Sequence, residues 1–109
     1  MSEASFVVTV SETEIVNHRP EGTVERVALA DLKAVLIETN DSGPWGADVW
    51  WILLGSGLES GCVFPGGATG EQDVLERLQQ LPGFDNDAVI KAMGSTDHQR
   101  FLCWQAKEE

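Results

Sequence analysis

The sequence predicts one α+β domain over residues 1–109, with a strongly bent antiparallel sheet or split barrel of about six to seven strands and two helices in the C-terminal half. Two observations predict this class. Short β-branched and aromatic stretches, separated by hairpin-length turns, fill the first 65 residues. Apolar residues at helical spacing begin only after Pro65. A chain of 109 residues has the usual size of one domain.

Six stretches in the first part predict strands, and most of the connections are short enough for an antiparallel meander. They are 6–10, 13–18, 23–29, 32–40, 48–55 and 60–64. Pro20 and Gly22 predict the hairpin turn between the second and third stretches. The stretch 32–40 is apolar on both faces in its middle, which predicts a central strand. The stretch 48–55 is rich in β-branched and aromatic residues and is the strongest strand signal in the chain.

The segment 68–81 predicts an amphipathic helix. Thr69 and Gln72 have the spacing of a capping box. An apolar stripe recurs at helical spacing and is expected to face the core. It consists of Val74, Leu75, Leu78 and Leu81.

A second, shorter helix is predicted over 85–94. Asp85 or Asn86 caps it, and Gly94 ends it. Its expected apolar face consists of Val89, Ile90 and Met93. Phe84, between the helices, is expected to act as a hydrophobic staple.

A last strand is predicted over residues 99–105, after the second helix. It must pair with another strand, since a lone strand is not stable. The economical choices are the first strand and the far edge of the sheet.

The charge balance is strongly acidic, with 18 acidic and 7 basic side chains and a net charge of −11. Such a field repels phosphate backbones and anionic membrane surfaces, so neither nucleic acid nor membrane is an expected partner. It attracts basic partners, although solubility alone also explains it. We expect no signal peptide and no membrane span, and therefore a cytoplasmic protein with reduced, buried Cys62 and Cys103.

The stretch "TNDSGPWGADVWW" is the first candidate site. Trp45 stands between Pro44 and Gly46, where a tryptophan offers a large contact area at low entropic cost. The alternative is that Trp45 folds back over the barrel mouth. Neighbouring residues complete the predicted partner-binding set: Asp41, Asp48, Trp50 and Trp51. Trp50 and Trp51 must face opposite sides of their strand, so one is core and the other is covered by a helix or exposed on a binding face.

The second candidate site is the glycine-rich string "CVFPGGATGEQ". A strand, a loop and a helix start can together cradle a phosphate on free backbone N–H groups. The candidate ligand loop consists of Gly66, Gly67, Thr69 and Gly70. The string lacks the Lys-Ser/Thr ending of a P-loop, and Glu71 and Asp73 oppose an anion, so a plain strand-to-helix connection is the alternative.

Catalytic and metal chemistry has no matching motif in this sequence. The histidines and cysteines are scattered singly, without the spacing of a metal site or a nucleophile beside a base. We therefore expect no catalytic residues, no metal and no cofactor.

The string "TNDSGP…DVWW…CVFPGGATGE…LPGFDND…FLCW" resembles small uncharacterised bacterial proteins, with an architecture similar to a pleckstrin-homology-like split barrel. The chain departs from that pattern in its second helix and last strand. It also lacks the basic strand pair that reads phosphoinositides, because the early hairpin carries only His18, Arg19 and Arg26. The resemblance therefore does not imply binding of lipid headgroups.

These observations favour a non-enzymatic, acidic protein-binding module, with a homodimer as one version. One alternative is an immunity or antitoxin-like protein that neutralises a basic toxin through charge pairing. The other is a small-ligand binder or enzyme that uses the Gly66–Gly70 loop.

Overall fold

The computed structural model describes residues 6–39, 49–57, 60–95 and 98–106. These residues form an α+β fold in which all strand pairs are antiparallel, as the sequence predicts. The elements are β1 (Val7–Val10), β2 (Glu14–His18), β3 (Val24–Ala28), β4 (Leu32–Thr39), β5 (Val49–Gly55), β6 (Gly61–Pro65), α1 (Glu71–Leu78), α2 (Asn86–Met93) and β7 (Gln99–Gln105).

The seven strands divide between two sheets instead of forming one bent sheet. The three-stranded sheet has the order β1-β2-β3, and the four-stranded sheet has the order β6-β5-β4-β7. A single 3-10 turn, Leu29–Asp31, carries the chain from one sheet to the other. Among the described strands no barrel closes. The prediction that 32–40 gives a central strand is confirmed, because β4 lies between β5 and β7.

The last strand, β7, pairs with β4 and so forms an edge of the four-stranded sheet. Pairing with the first strand, one of the two expectations, is wrong. The edge of β1 is occupied by Thr69, whose carbonyl accepts from Val8 N–H at 2.8 Å. The Thr69 N–H in turn donates to the Phe6 carbonyl at 3.0 Å.

The core lies between the inner faces of the two sheets and the two helices. The four-stranded sheet contributes Trp51 and Phe64, and the three-stranded sheet contributes Ile15. From α1 come the fully buried Val74 and Leu78, with Leu75 and Leu81 packed beside them, so the predicted stripe of α1 is confirmed.

Helix α1 is shorter than predicted and begins without a side-chain cap. Its N-cap is Gly70, at φ +91°, and the expected pairing of Thr69 with Gln72 does not form. The reason is that Thr69 pairs with β1 one residue before the cap position.

Helix α2 has the predicted cap but a different buried face. Asp85 Oδ1 accepts from Ala88 N–H at 3.1 Å. The helix buries Val89 with Ala88 and Ala92, while Ile90 and Met93 are exposed. The expectation that Ile90 and Met93 face the core is wrong, because the helix turns its alanines inward.

Candidate functional site

Three residues of the predicted partner-binding set lie outside the described residues: Asp41, Trp45 and Asp48. The two adjacent tryptophans of β5 face opposite sides of the sheet, as expected. Trp51 is 1% exposed and stacks on Phe64, with 6.4 Å between ring centroids. Trp51 is therefore the core residue of the pair, and burial removes it from any contact surface.

Trp50 lies on the other side of β5 and is half-buried. Its ring meets Phe6 edge-on, with centroids 6.0 Å apart and an interplanar angle of 81°. The Arg19 guanidinium lies 5.3 Å from the Phe6 ring centroid on the same side of the molecule. Trp50 therefore has an aromatic neighbour at the β6 side of the sheet and keeps part of its ring in solvent.

The side of the four-stranded sheet that carries Trp50 is mostly apolar, and the strand register places Glu38 and Arg100 on it in the row of Trp50. We call it the outer face and define it by seven residues: Ala34, Leu36, Trp50, Ile52, Leu54, Val63 and Leu102. The strand register places four of them in one continuous cross-strand row. The row runs Val63, Ile52, Leu36, Leu102, from β6 through β5 and β4 to β7. Aliphatic neighbours in such a row contact one another directly.

Phe6, just before β1, contacts Trp50, and the rest of the outer face has no cover from the described helices or from the three-stranded sheet. None of its seven residues belongs to the core cluster or to the side chains that pack against that cluster. Leu54 is 45% exposed and Leu102 is 48% exposed. In an antiparallel sheet with one solvated face, that face is normally polar. The row Val63, Ile52, Leu36, Leu102 departs from this pattern across all four strands, whereas the row of Trp50 carries Glu38 and Arg100.

The charges of the four-stranded sheet are few and lie at its ends. Glu38 is the one acidic residue in the four strands, beside the basic Lys33 and Arg100. Its carboxylate contacts Arg100 Nε at 3.4 Å and His98 Nε2 at 3.0 Å. The hydrogen bond from His98 holds the pKa of Glu38 below its usual value. The strands thus carry little net charge in a chain of net charge −11.

The join between the two sheets is made by side chains, which sequence reasoning missed. Asn17, fully buried, donates through Nδ2 to Glu25 Oε1 and to the Val63 carbonyl, both at 3.0 Å. Glu25 Oε1 also accepts from Val63 N–H at 2.9 Å. The backbone edge of β6 is therefore satisfied by β2 and β3 side chains. The Asn17 Oδ1 is buried without a hydrogen-bond partner among the described atoms.

The glycine-rich loop is occupied by the protein's own groups. Gly67 N–H donates to Glu71 Oε1 at 2.8 Å, and Gly66 N–H donates to the Val49 carbonyl at 2.8 Å. Thr69 is paired with β1, as described above. A Cβ at Gly70 would lie 1.9 Å from the Val8 carbonyl oxygen. The Glu71 carboxylate thus stands where an anionic ligand of this loop would bind.

The two cysteine thiols are expected to be unreactive. Burial raises the pKa of Cys62 to about 12 and that of Cys103 to about 11. Both are free and buried, as the sequence predicts. A thiol with a raised pKa holds almost no thiolate at neutral pH and is a poor nucleophile.

A cleft of about 480 Å³ lies beside the turn between the helices. It is lined by Pro82, Gly83, Trp104, Gln105 and Ala106. Trp104 Nε1 is already used, donating to the Pro82 carbonyl at 2.9 Å. These lining residues include no titratable side chain that could direct chemistry.

The described part of the chain contains no group of three or more His, Cys, Asp or Glu side chains that could hold a metal ion. None of its helices is long and apolar enough to cross a membrane.

Comparison with known proteins gave no match to a family model, to a curated protein or to a solved structure.

Proposed function

We propose that this protein is a non-enzymatic protein-binding module and that it binds its partner through the outer face of the four-stranded sheet. The observation that carries the proposal is the uncharged row Val63, Ile52, Leu36, Leu102, which no described element covers. Contiguous apolar patches rimmed by polar groups are typical of interaction sites.

The outer face is large enough for a weak contact and too small for a standard-size stable interface. Four strands about 4.8 Å apart and about five residues of about 3.3 Å each give roughly 19 by 17 Å, or roughly 300 Å². This footprint is below the roughly 800 Å² per partner of a standard interface, so a complex through it is expected to be reversible.

The non-enzymatic part of the proposal is supported by the chemistry of the site. The outer face carries aliphatic and aromatic side chains in its rows, and its ionic groups at Glu38 pair with each other. Catalysis by a side chain needs a nucleophile or an acid–base group poised near its partner. The buried thiols are poor candidates for that role.

We further propose the pleckstrin-homology-like split barrel as the fold relationship, in a bacterial, cytoplasmic protein. The side-chain join at Val63, where β6 meets β2 and β3 without strand pairing, supports a split between two sheets. Unpaired buried thiols are common in reducing compartments, which supports the cytoplasmic part.

An immunity or antitoxin-like role is the second candidate, and the net charge of −11 favours it. Such a protein would bind a basic toxin through its acidic surface, with fast, salt-sensitive association. A ligand role for the Gly66–Gly70 loop is less favoured, because an anion would have to displace the Glu71 carboxylate.

Site-specific photo-crosslinking tests the proposal. A benzophenone amino acid replaces Leu102 in the full chain, inside cells that produce it, and adducts are identified by mass spectrometry. We expect one discrete protein adduct that excess unlabelled chain competes away. The matched control is Val24, which is 45% exposed on β3 of the other sheet. Absence of an adduct at position 102, or the same adduct at position 24, would overturn the proposal.

A further inference from the structure

We infer that the partner of the outer face is a second copy of this chain, packed sheet against sheet in a weak twofold dimer. The inference rests on the proposed function and names the occupant of the same surface. Two features of the described residues carry it, local charge and the symmetry of the apolar row, and the area of the face sets the expected strength.

The first feature is local charge. The chain has net charge −11, yet the four strands contain one acidic residue, Glu38, and two basic ones, Lys33 and Arg100. A basic partner would be attracted only weakly to this face, because the other acidic side chains of the chain lie outside these four strands. A second copy meets an uncharged centre, and the Glu38 carboxylate is already paired with Arg100 and His98. Local charge therefore favours a neutral, apolar surface as the occupant.

The second feature is the symmetry of the apolar row. A twofold interface must be self-complementary, since each copy presents the same patch. A twofold axis in the interface plane, along the strands between β4 and β5, places Leu102 of one copy over Val63 of the other. The same axis places Leu36 over Ile52. Every member of the row then meets an aliphatic side chain, while in the neighbouring row the same axis places Trp50 over Glu38 of the other copy.

Sheet packing geometry allows this arrangement. Stacked sheets lie about 10 Å apart, with side chains of the two faces interdigitating. Leu54 and Leu102, the most exposed members of the outer face, stand on β5 and β7 and extend furthest into solvent. They are the side chains that lose most exposure in such a dimer.

The area of the outer face sets the expected strength of the dimer. About 300 Å² per copy gives roughly 600 Å² in total, below the roughly 1,200 Å² at which standard-size stable interfaces begin. The dimer is therefore reversible, with a dissociation constant between about 10 µM and about 1 mM.

Salt distinguishes this dimer from a complex with a basic partner. Two chains of charge −11 repel each other at long range, and raising the ionic strength from about 0.1 to about 1 M shortens the screening length from about 10 to about 3 Å. Dimerisation therefore strengthens with salt. Binding of a basic partner to an acidic surface weakens with salt.

Sedimentation equilibrium of the purified full chain tests the inference. The weight-average mass is expected to rise from 11.9 kDa towards twice that value between about 10 µM and about 1 mM, and to rise further with added NaCl. Leu102→Lys and Leu54→Lys are expected to stay at 11.9 kDa over the same range. Val24→Lys, the matched change at equal exposure on the other sheet, is expected to behave as wild type.

A wild-type chain that stays monomeric up to about 1 mM would overturn the second-copy inference, as would equal loss of dimer in Leu102→Lys and Val24→Lys. The crosslinking experiment at position 102 distinguishes failure of the second-copy inference from failure of the proposed function. An adduct of the chain with a different protein at position 102 overturns only the second copy. Absence of any adduct overturns both.

Discussion

The indole N–H of Trp51 donates a hydrogen bond of 2.7 Å to Glu71 Oε2, while Glu71 Oε1 accepts from Gly67 N–H at 2.8 Å. One carboxylate thus joins the inner face of β5, the glycine-rich loop and the first turn of α1. It also places a negative charge at the N-terminus of the helix, where the helix dipole stabilises it. This contact holds the loop closed from within and replaces the side-chain cap that α1 lacks.

Glu71→Ala is expected to lower the free energy of unfolding by about 1–3 kcal/mol, because the buried Trp51 N–H loses its acceptor. Urea denaturation followed by tryptophan fluorescence measures the change. Glu76→Ala is the matched control, since Glu76 is exposed on the same helix and should change stability by less than about 0.5 kcal/mol. Equal effects of the two substitutions would show that the Trp51 contact contributes little.

Glu25→Ala is expected to weaken the join between the two sheets. Both Val63 N–H and the Asn17 amide lose an acceptor, so we expect a loss of about 1–3 kcal/mol in stability. The exchange rate of the Val63 amide hydrogen is expected to rise more than that of amides inside the four-stranded sheet. Glu21→Ala removes a more exposed carboxylate that contacts the same Arg19 and serves as the control. Unchanged exchange at Val63 in Glu25→Ala would contradict the assigned role.

The two glycines of the loop are expected to differ in their tolerance of alanine. Gly67 has φ +96° with no atom within 4 Å of an added Cβ, so Gly67→Ala should cost about 1–2 kcal/mol from the backbone conformation alone. At Gly70 the added Cβ would meet the Val8 carbonyl oxygen at 1.9 Å, so Gly70→Ala should cost clearly more. Thermal unfolding of both variants compares them. A smaller loss for Gly70→Ala would contradict the close approach of this loop to β1.

The buried thiols give a prediction for alkaline pH. The pKa of Cys62 is raised to about 12 and that of Cys103 to about 11 in the folded chain, whereas an unfolded cysteine has a pKa of about 8.5. A raised folded-state pKa contributes stability that is complete below about pH 8.5 and is lost as pH rises towards the folded value. Stability should therefore fall above about pH 8.5, and less so in a variant with both cysteines replaced by alanine.

Thiol labelling gives an independent check. At pH 8 a thiol reagent should label neither cysteine within minutes in the native chain and both in urea. Fast labelling of either native thiol would contradict its burial.

The strand pattern predicted the outer face only in part. Two-sided apolar character correctly marked β4 as a central strand. Alternation shows that a face is apolar, but it does not show what covers that face. The sequence therefore left open whether Trp50 meets a helix or solvent. The local sequence did not indicate that Leu102 belongs to the outer face, because its neighbours in space, above all Leu36, lie far away along the chain.

Other features depend on contacts that no local pattern encodes. The predicted capping box of Thr69 and Gln72 does not form, because Thr69 pairs with β1 instead of capping the helix. In α2, spacing alone did not show that the helix would turn Ala88 and Ala92 inward and leave Ile90 exposed. The join through Asn17 and Glu25 is also a long-range contact.

Hydroxyl-radical footprinting tests most directly the central claim that the outer face binds a partner, because it reports whether that face is covered inside the cell. The chain is labelled inside the cells that produce it and, separately, as purified protein diluted below about 1 µM, where a weak complex dissociates. We predict that Leu54 and Leu102 are protected in the cell relative to the diluted chain, while Val24 reacts equally in both. Equal reactivity of Leu54 and Leu102 under the two conditions would contradict a binding role for the outer face.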